Sequence, residues 1–120
     1  MHFIAQILYF QNAFKLYHWY TQSYARHIAT DNLGADFAKL VDKFVEVYIG
    51  KYGRPKLSKS DLNIGSVEVH NDASVVGLVN QCIVFFTKDI NLRKDDFDLL
   101  NIRDEILALL NQTKYLFTLQ

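Results

Sequence analysis

Apolar positions fall at helical spacing along most of this chain. Ile7, Phe10, Phe14, Tyr17, Thr21, Tyr24 and Ile28 recur at alternating steps of three and four, as one buried helical face does. The pattern predicts a first helix over residues 3–30. A second is predicted over 36–52, with Phe37, Leu40, Val41, Phe44, Val45, Tyr48 and Tyr52 inward. Asp31, Asn32 and Gly34 read as the turn between them, and Gly50 and Gly53 as the second helix's end. Residues 53–71, GRPKLSKSDLNIGSVEVHN, lose the periodicity and contain the only proline. Within them VEVH reads as a short extended piece. A third helix is expected from Asp72, a favourable N-cap, to about Ile90, burying Val75, Val79, Cys82, Phe86 and Ile90. A fourth follows the charged turn NLRKDD over residues 96–117, burying Leu99, Ile102, Ile106, Leu110 and Phe117.

Four helices with no credible sheet imply an all-α bundle. The links between helices one and two and between three and four are short, so each pair should be antiparallel. The middle link is long. At ~3.3 Å per extended residue it spans a helix of ~27 Å with chain to spare. Two antiparallel helix hairpins joined by a long crossover loop is the connectivity of ferritin-like four-helix bundles. The expectation is one such domain over residues 1–120.

Composition narrows the function. The chain is 50% hydrophobic and 14% aromatic, which suits a packed core and not a disordered chain. Thirteen basic residues balance 13 acidic ones, so no general attraction to nucleic acid or to anionic membranes is expected. The same neutrality leaves little repulsion against forming a homo-oligomer. No apolar stretch approaches the ~18 residues that a membrane span needs. MHFIAQILYF lacks a basic start and a small-residue cleavage site, so it does not read as a secretory leader. The single cysteine, Cys82 in CIVFF, reads as a small buried hydrophobe, and a lone thiol fits a reducing, cytoplasmic setting.

Candidate chemistry lies in YHWYTQSYARHIATD, residues 17–31, and DKFVE, residues 42–46. Asp42 and Glu46, one turn apart on one helical face, point away from their own helix's apolar side. They therefore suit a site completed by a second subunit, or else a solvated ion-pair ladder with Lys39 and Lys43. His18 borders the core seam, as a ligand or as a half-buried, hydrogen-bonded histidine. His27 reads as a ligand or as a surface partner of Asp31. Nine residues of straight helix would send the two histidines to opposite sides. They can share one ion only if the helix bends or ends between them, or if two subunits contribute. Imidazole nitrogen with carboxylate oxygen suits iron, with zinc or manganese as alternatives. Trp19 shares a side with Asn12, Lys15, Gln22, Ser23 and Arg26, and a large aromatic on a polar side points to a subunit contact. No Glu-x-x-His, glycine-rich phosphate loop, zinc-cysteine cluster or His-Glu-x-x-His occurs, so an intrasubunit di-iron site of the ferritin kind is not encoded.

These residues resemble the Dps or miniferritin branch of the ferritin-like superfamily. That pattern has His-Trp on the first helix, a second histidine, then Asp-x-x-x-Glu, matched here by His18-Trp19, His27, Asp42 and Glu46. HWYTQSYARH with DKFVEVYIGKYGR is more similar still to small ferritin-like proteins of bacteriophages and large DNA viruses. The likeness covers residues 14–54 well and the remainder by helix pattern. It implies that the histidines of one subunit meet the Asp and Glu of a twofold mate to bind and oxidise Fe(II). The chain departs from the pattern in three ways. Its histidines are about three residues closer together, no lysine-rich segment precedes the first helix, and the crossover shows no short extra helix. A twelve-subunit shell and DNA binding are therefore not expected. The alternative is a metal-free helical bundle of viral type with a structural or host-interaction role.

Overall fold

The structure is a computed structural model describing residues 2–64 and 67–119. The described residues form four α-helices: α1 (Phe3–Tyr20), α2 (Tyr24–Tyr52), α3 (Val75–Val84) and α4 (Phe97–Leu116), with a π-helical turn at Phe85–Asp89 extending α3. No strand occurs among the described residues; VEVH, residues 67–70, has no regular structure, although Val67 packs against the core.

Contacts at the two ends fix the helix directions. Phe3, at the start of α1, meets Phe44 and Tyr48 near the end of α2, with ring centroids 6.4 and 4.8 Å away. Lys51, at the end of α2, pairs with Asp96 and Asp98 at the start of α4. At the opposite end Arg26 reaches the carbonyl of Phe117 after α4, and Tyr17 of α1 meets Asp72 ahead of α3. Helices α1 and α4 therefore run one way, and α2 and α3 the other. The 29 residues of α2 rise about 43 Å, matching the long dimension of a molecule measuring 43 × 30 × 21 Å. Residues 53–74 carry the chain back along that length, the long crossover expected between two antiparallel hairpins. Gly53 begins it at φ +84°, a backbone conformation that favours glycine.

One core gathers side chains from all four helices, among them Phe10, Phe14, Phe37, Phe44, Phe85 and Phe86. All of these are at most 6% exposed. The π-turn, closed by the Ile90 amide on the Phe85 carbonyl, lets two consecutive phenylalanines face inward. Phe85 packs on Phe10, and Phe86 edges onto Phe37 and Phe44. Cys82 is fully buried, and burial pushes its thiol well above the usual range.

The expected first helix is cut short. The chain is extended at Thr21 and restarts behind Ser23, whose hydroxyl accepts the Arg26 amide as an N-cap. Residues 31–34, expected as a turn, lie inside α2, with Leu33 buried. Tyr24 and Ile28, expected inward, are exposed, because the break resets the helical phase. Asp72 does not cap α3, since Ser74 occupies that position. It accepts instead from the Tyr17 and Thr21 hydroxyls.

Candidate functional site

The break at Thr21–Ser23 folds the last turn of α1 against the first turns of α2. His18 and His27, which a continuous helix would have separated, stack with ring centroids 4.0 Å apart and planes 16° from parallel. His18 is buried and His27 exposed, so the pair runs from the core edge to the surface.

Their hydrogen bonds define both tautomers. His27 Nδ1 lies 3.0 Å from the His18 carbonyl, which only accepts, so Nδ1 carries the proton and donates. His18 Nδ1 lies 3.0 Å from Thr30 Oγ1. The single Thr30 proton is directed to the Arg26 and His27 carbonyls, so its oxygen accepts from His18 Nδ1–H. Each neutral imidazole therefore keeps its lone pair on Nε2. Metal-binding histidines are commonly held this way, with Nδ1–H anchored and Nε2 free to ligate. Asp31 Oδ1 sits 3.9 Å from His18 Nε2, so Asp31 attends His18 and not His27, the partner expected from sequence.

Asp42 and Glu46 are exposed on α2. Neither makes an ion pair within 4.0 Å with Lys39 or Lys43 among the described residues, so the expected ladder does not form. Fifteen residues separate His27 from Asp42 on the same helix, about 22 Å of rise. The histidines and carboxylates are thus not brought together within one protomer. Among the described residues no three His, Cys, Asp or Glu side chains converge on a metal position.

A polar knot braces the histidine end. Arg26 donates to the Tyr17 hydroxyl and to the carbonyls of Asp72 and Phe117, with its guanidinium 4.8 Å from the centre of the Phe117 ring. The Tyr17 hydroxyl donates to Asp72 at 2.5 Å. Burial and this bond raise the Tyr17 pKa, while the same bond, against the opposing effect of burial, lowers that of Asp72. At the other end Asp96, 2% exposed, accepts from Lys51 at 2.7 Å, Tyr52 at 2.5 Å and the Arg93 amide at 2.8 Å. The Lys51 and Tyr52 hydrogen bonds hold its carboxyl at a pKa of about 2. Sequence periodicity missed Thr30, Arg26, Tyr17 as a polar group, and Asp96. The Ser23-x-x-Arg26 cap was the one local signal for the break.

The model of a family of unknown function, DUF5856, matches residues 18–117. The chain belongs to that family. The matched stretch of this DUF5856 protein opens at His18 and takes in His27, Asp42, Glu46, the Asp96 cluster and, apart from Tyr17, the cluster around Arg26. No curated protein and no solved structure matches the chain.

Proposed function

We propose that this protein is a ferritin-like metal-binding bundle in which His18 and His27 of one protomer and Asp42 and Glu46 of another hold Fe(II), or Zn(II) or Mn(II) in its place. One observation carries the reading: two stacked imidazoles, each with Nδ1–H tied to an internal acceptor and the lone pair left on Nε2, that of His18 lying 3.9 Å from Asp31. The donor set fits a first-row divalent ion, with neutral nitrogen from one side and anionic oxygen from the other. The rise along α2 between the two halves favours completion by a second protomer. The up-down-down-up helix order and the long crossover agree with a ferritin-like fold. Bound iron would supply one-electron chemistry toward oxygen or peroxide. The chain's part is to fix the histidine tautomers, present the carboxylates and brace the break through Arg26 and Thr30.

Anaerobic titration with Fe(II), Zn(II) and Mn(II), followed calorimetrically, tests this. Saturable binding is expected for the wild type, and its loss in Asp42→Asn/Glu46→Gln, with helical content unchanged because both residues lie off the core. Affinity should fall as pH drops through ~6.5, where a typical histidine takes up a proton and stops donating to metal. No saturable binding by the wild type, or equal binding by the double variant, refutes the reading. The exposed Trp19, Tyr20 and Tyr24, at 65, 62 and 79%, favour a second reading, a metal-free interaction module of structural or host-directed role, which such a result would leave standing.

A further inference from the structure

An open notch of about 410 Å³ lies between α1 and α2, with Gln11, Asn12 and Lys15 on one wall, Asp31 and Gly34 on the other and the buried Phe14 ring behind. Lys15 and Asp31 are opposite in sign, yet no ion pair within 4.0 Å joins them. The side chains of Gln11, Asn12 and Lys15 make no hydrogen bond among the described residues, and the Lys15 ammonium lies over the Trp19 ring, 5.6 Å from its centre. Asp31 shows a complementary gap. Its Oδ1 stands 3.9 Å from His18 Nε2. With Nδ1–H given to Thr30, the neutral His18 ring offers only a lone pair there, and a carboxylate only accepts. Two acceptors thus face each other with no proton between them, and the Asp31 side chain is 68% exposed. Gly34 keeps the notch open. Glycine inside a helix costs stability, yet nothing lies within 4 Å of where a Cβ would be. A second hollow of about 260 Å³ shares Asn12 and Lys15 with the notch and adds Leu16, Trp19 and Val67, an almost wholly apolar lining.

We propose that the notch binds a free α-amino acid with an apolar side chain. Its ammonium group donates to Asp31 and to His18 Nε2, which supplies the donor missing between those two acceptors. Its carboxylate meets the Lys15 ammonium and the side-chain amides of Gln11 and Asn12, as charge-assisted hydrogen bonds. A ligand of one sign would answer one wall and leave the charge on the other unmatched, whereas a zwitterion answers both. The ligand's side chain passes over Asn12 and Lys15 into the hollow at Trp19, which selects an apolar group. The volume of the notch falls in the range usual for small-molecule sites. The His18 tautomer follows from its hydrogen bonds alone, so this site does not rest on the metal reading.

Calorimetric titration of the full chain with L-phenylalanine in EDTA tests the site, since a metal on His18 would compete with the ammonium group. Saturable binding is expected. N-acetyl-L-phenylalanine, without the ammonium group, and L-phenylalaninamide, without the carboxylate, should each bind about tenfold more weakly or worse, and glycine likewise. Asp31→Asn should make the protein indifferent to acetylation, and Lys15→Met indifferent to amidation. Gly34→Leu should abolish binding while the melting temperature holds or rises, because the new side chain enters open space. No saturable binding of L-phenylalanine by the wild type, or glycine or either capped analogue binding as tightly, overturns the proposal. The two readings fail separately. L-Phenylalanine binding by a protein that takes up no metal keeps this site and refutes the metal reading, whereas saturable metal uptake by a protein that ignores L-phenylalanine does the reverse.

Discussion

At the scale of single residues, polar side chains lock the two ends of the bundle. Thr30 decides which nitrogen His18 presents, because its one hydroxyl proton is committed to backbone carbonyls. Thr30→Val should strand the buried His18 Nδ1–H at a cost of about 1–3 kcal/mol and weaken the metal binding proposed above by about 10–100-fold. Nitrogen NMR of the imidazole should show His18 losing its single tautomer, and an unchanged spectrum would mean that Thr30 does not set it. Asp96 acts at the other end. Its carboxyl, at a pKa of about 2 in the fold against about 3.9 in an unfolded chain, stabilises the protein fully above pH ~4. That contribution is lost as pH falls from there through the folded value. Asp96→Asn should therefore have a lower melting temperature than wild type at neutral pH and a shallower loss of stability between pH ~4 and ~2. Parallel acid-unfolding curves would count against the clasp. None of these roles was legible in apolar spacing, because each hydroxyl or carboxylate acts on a group distant in sequence.

At the scale of elements, periodicity identified the inward faces well and the boundaries less well. Phe37 and Phe44 of α2 and Leu99, Ile102, Ile106 and Leu110 of α4 are buried where the spacing put them. The first helix was read through its break because Thr21, Tyr24 and Ile28 continued the three-and-four rhythm across it. The Ser23 cap did not enter that reading. The consequence reached the site, since the break is what brings His18 to His27. The turn inferred from Asp31, Asn32 and Gly34 failed for the converse reason: Leu33 and Phe37 bury enough apolar surface to carry the helix through weak formers. Phe14→Ala and Phe44→Ala probe the faces that were read correctly. Each ring is at most 2% exposed, and its loss should cost about 3–5 kcal/mol through lost burial and cavity formation. Urea denaturation should place both midpoints far below wild type, and an unshifted midpoint would show that the core tolerates the loss.

At the scale of the whole molecule, the bundle satisfies its own core and leaves aromatic surface unused. Trp19 and Tyr20 end α1 and Tyr24 begins α2, all three exposed, with Lys15 Nζ 5.6 Å from the Trp19 ring centre. Trp19 lines a shallow hollow with Asn12, Lys15 and Leu16 of α1 and Val67 of the crossover. The expectation of a subunit contact at Trp19 came from its polar neighbours in sequence, and its 65% exposure is what that expectation requires of a lone protomer. Trp19 is the only tryptophan, so its fluorescence reports on this surface alone. Self-association should move its emission to shorter wavelength as concentration rises from about 1 to 100 μM, because an indole leaves water when an interface covers it. Trp19→Ala should weaken the dimer in light scattering without lowering the melting temperature of the monomer, since the ring contributes little to its own core. Emission that stays at the solvent-exposed wavelength throughout, in a protein that nevertheless dimerises, would assign association to a face that excludes Trp19.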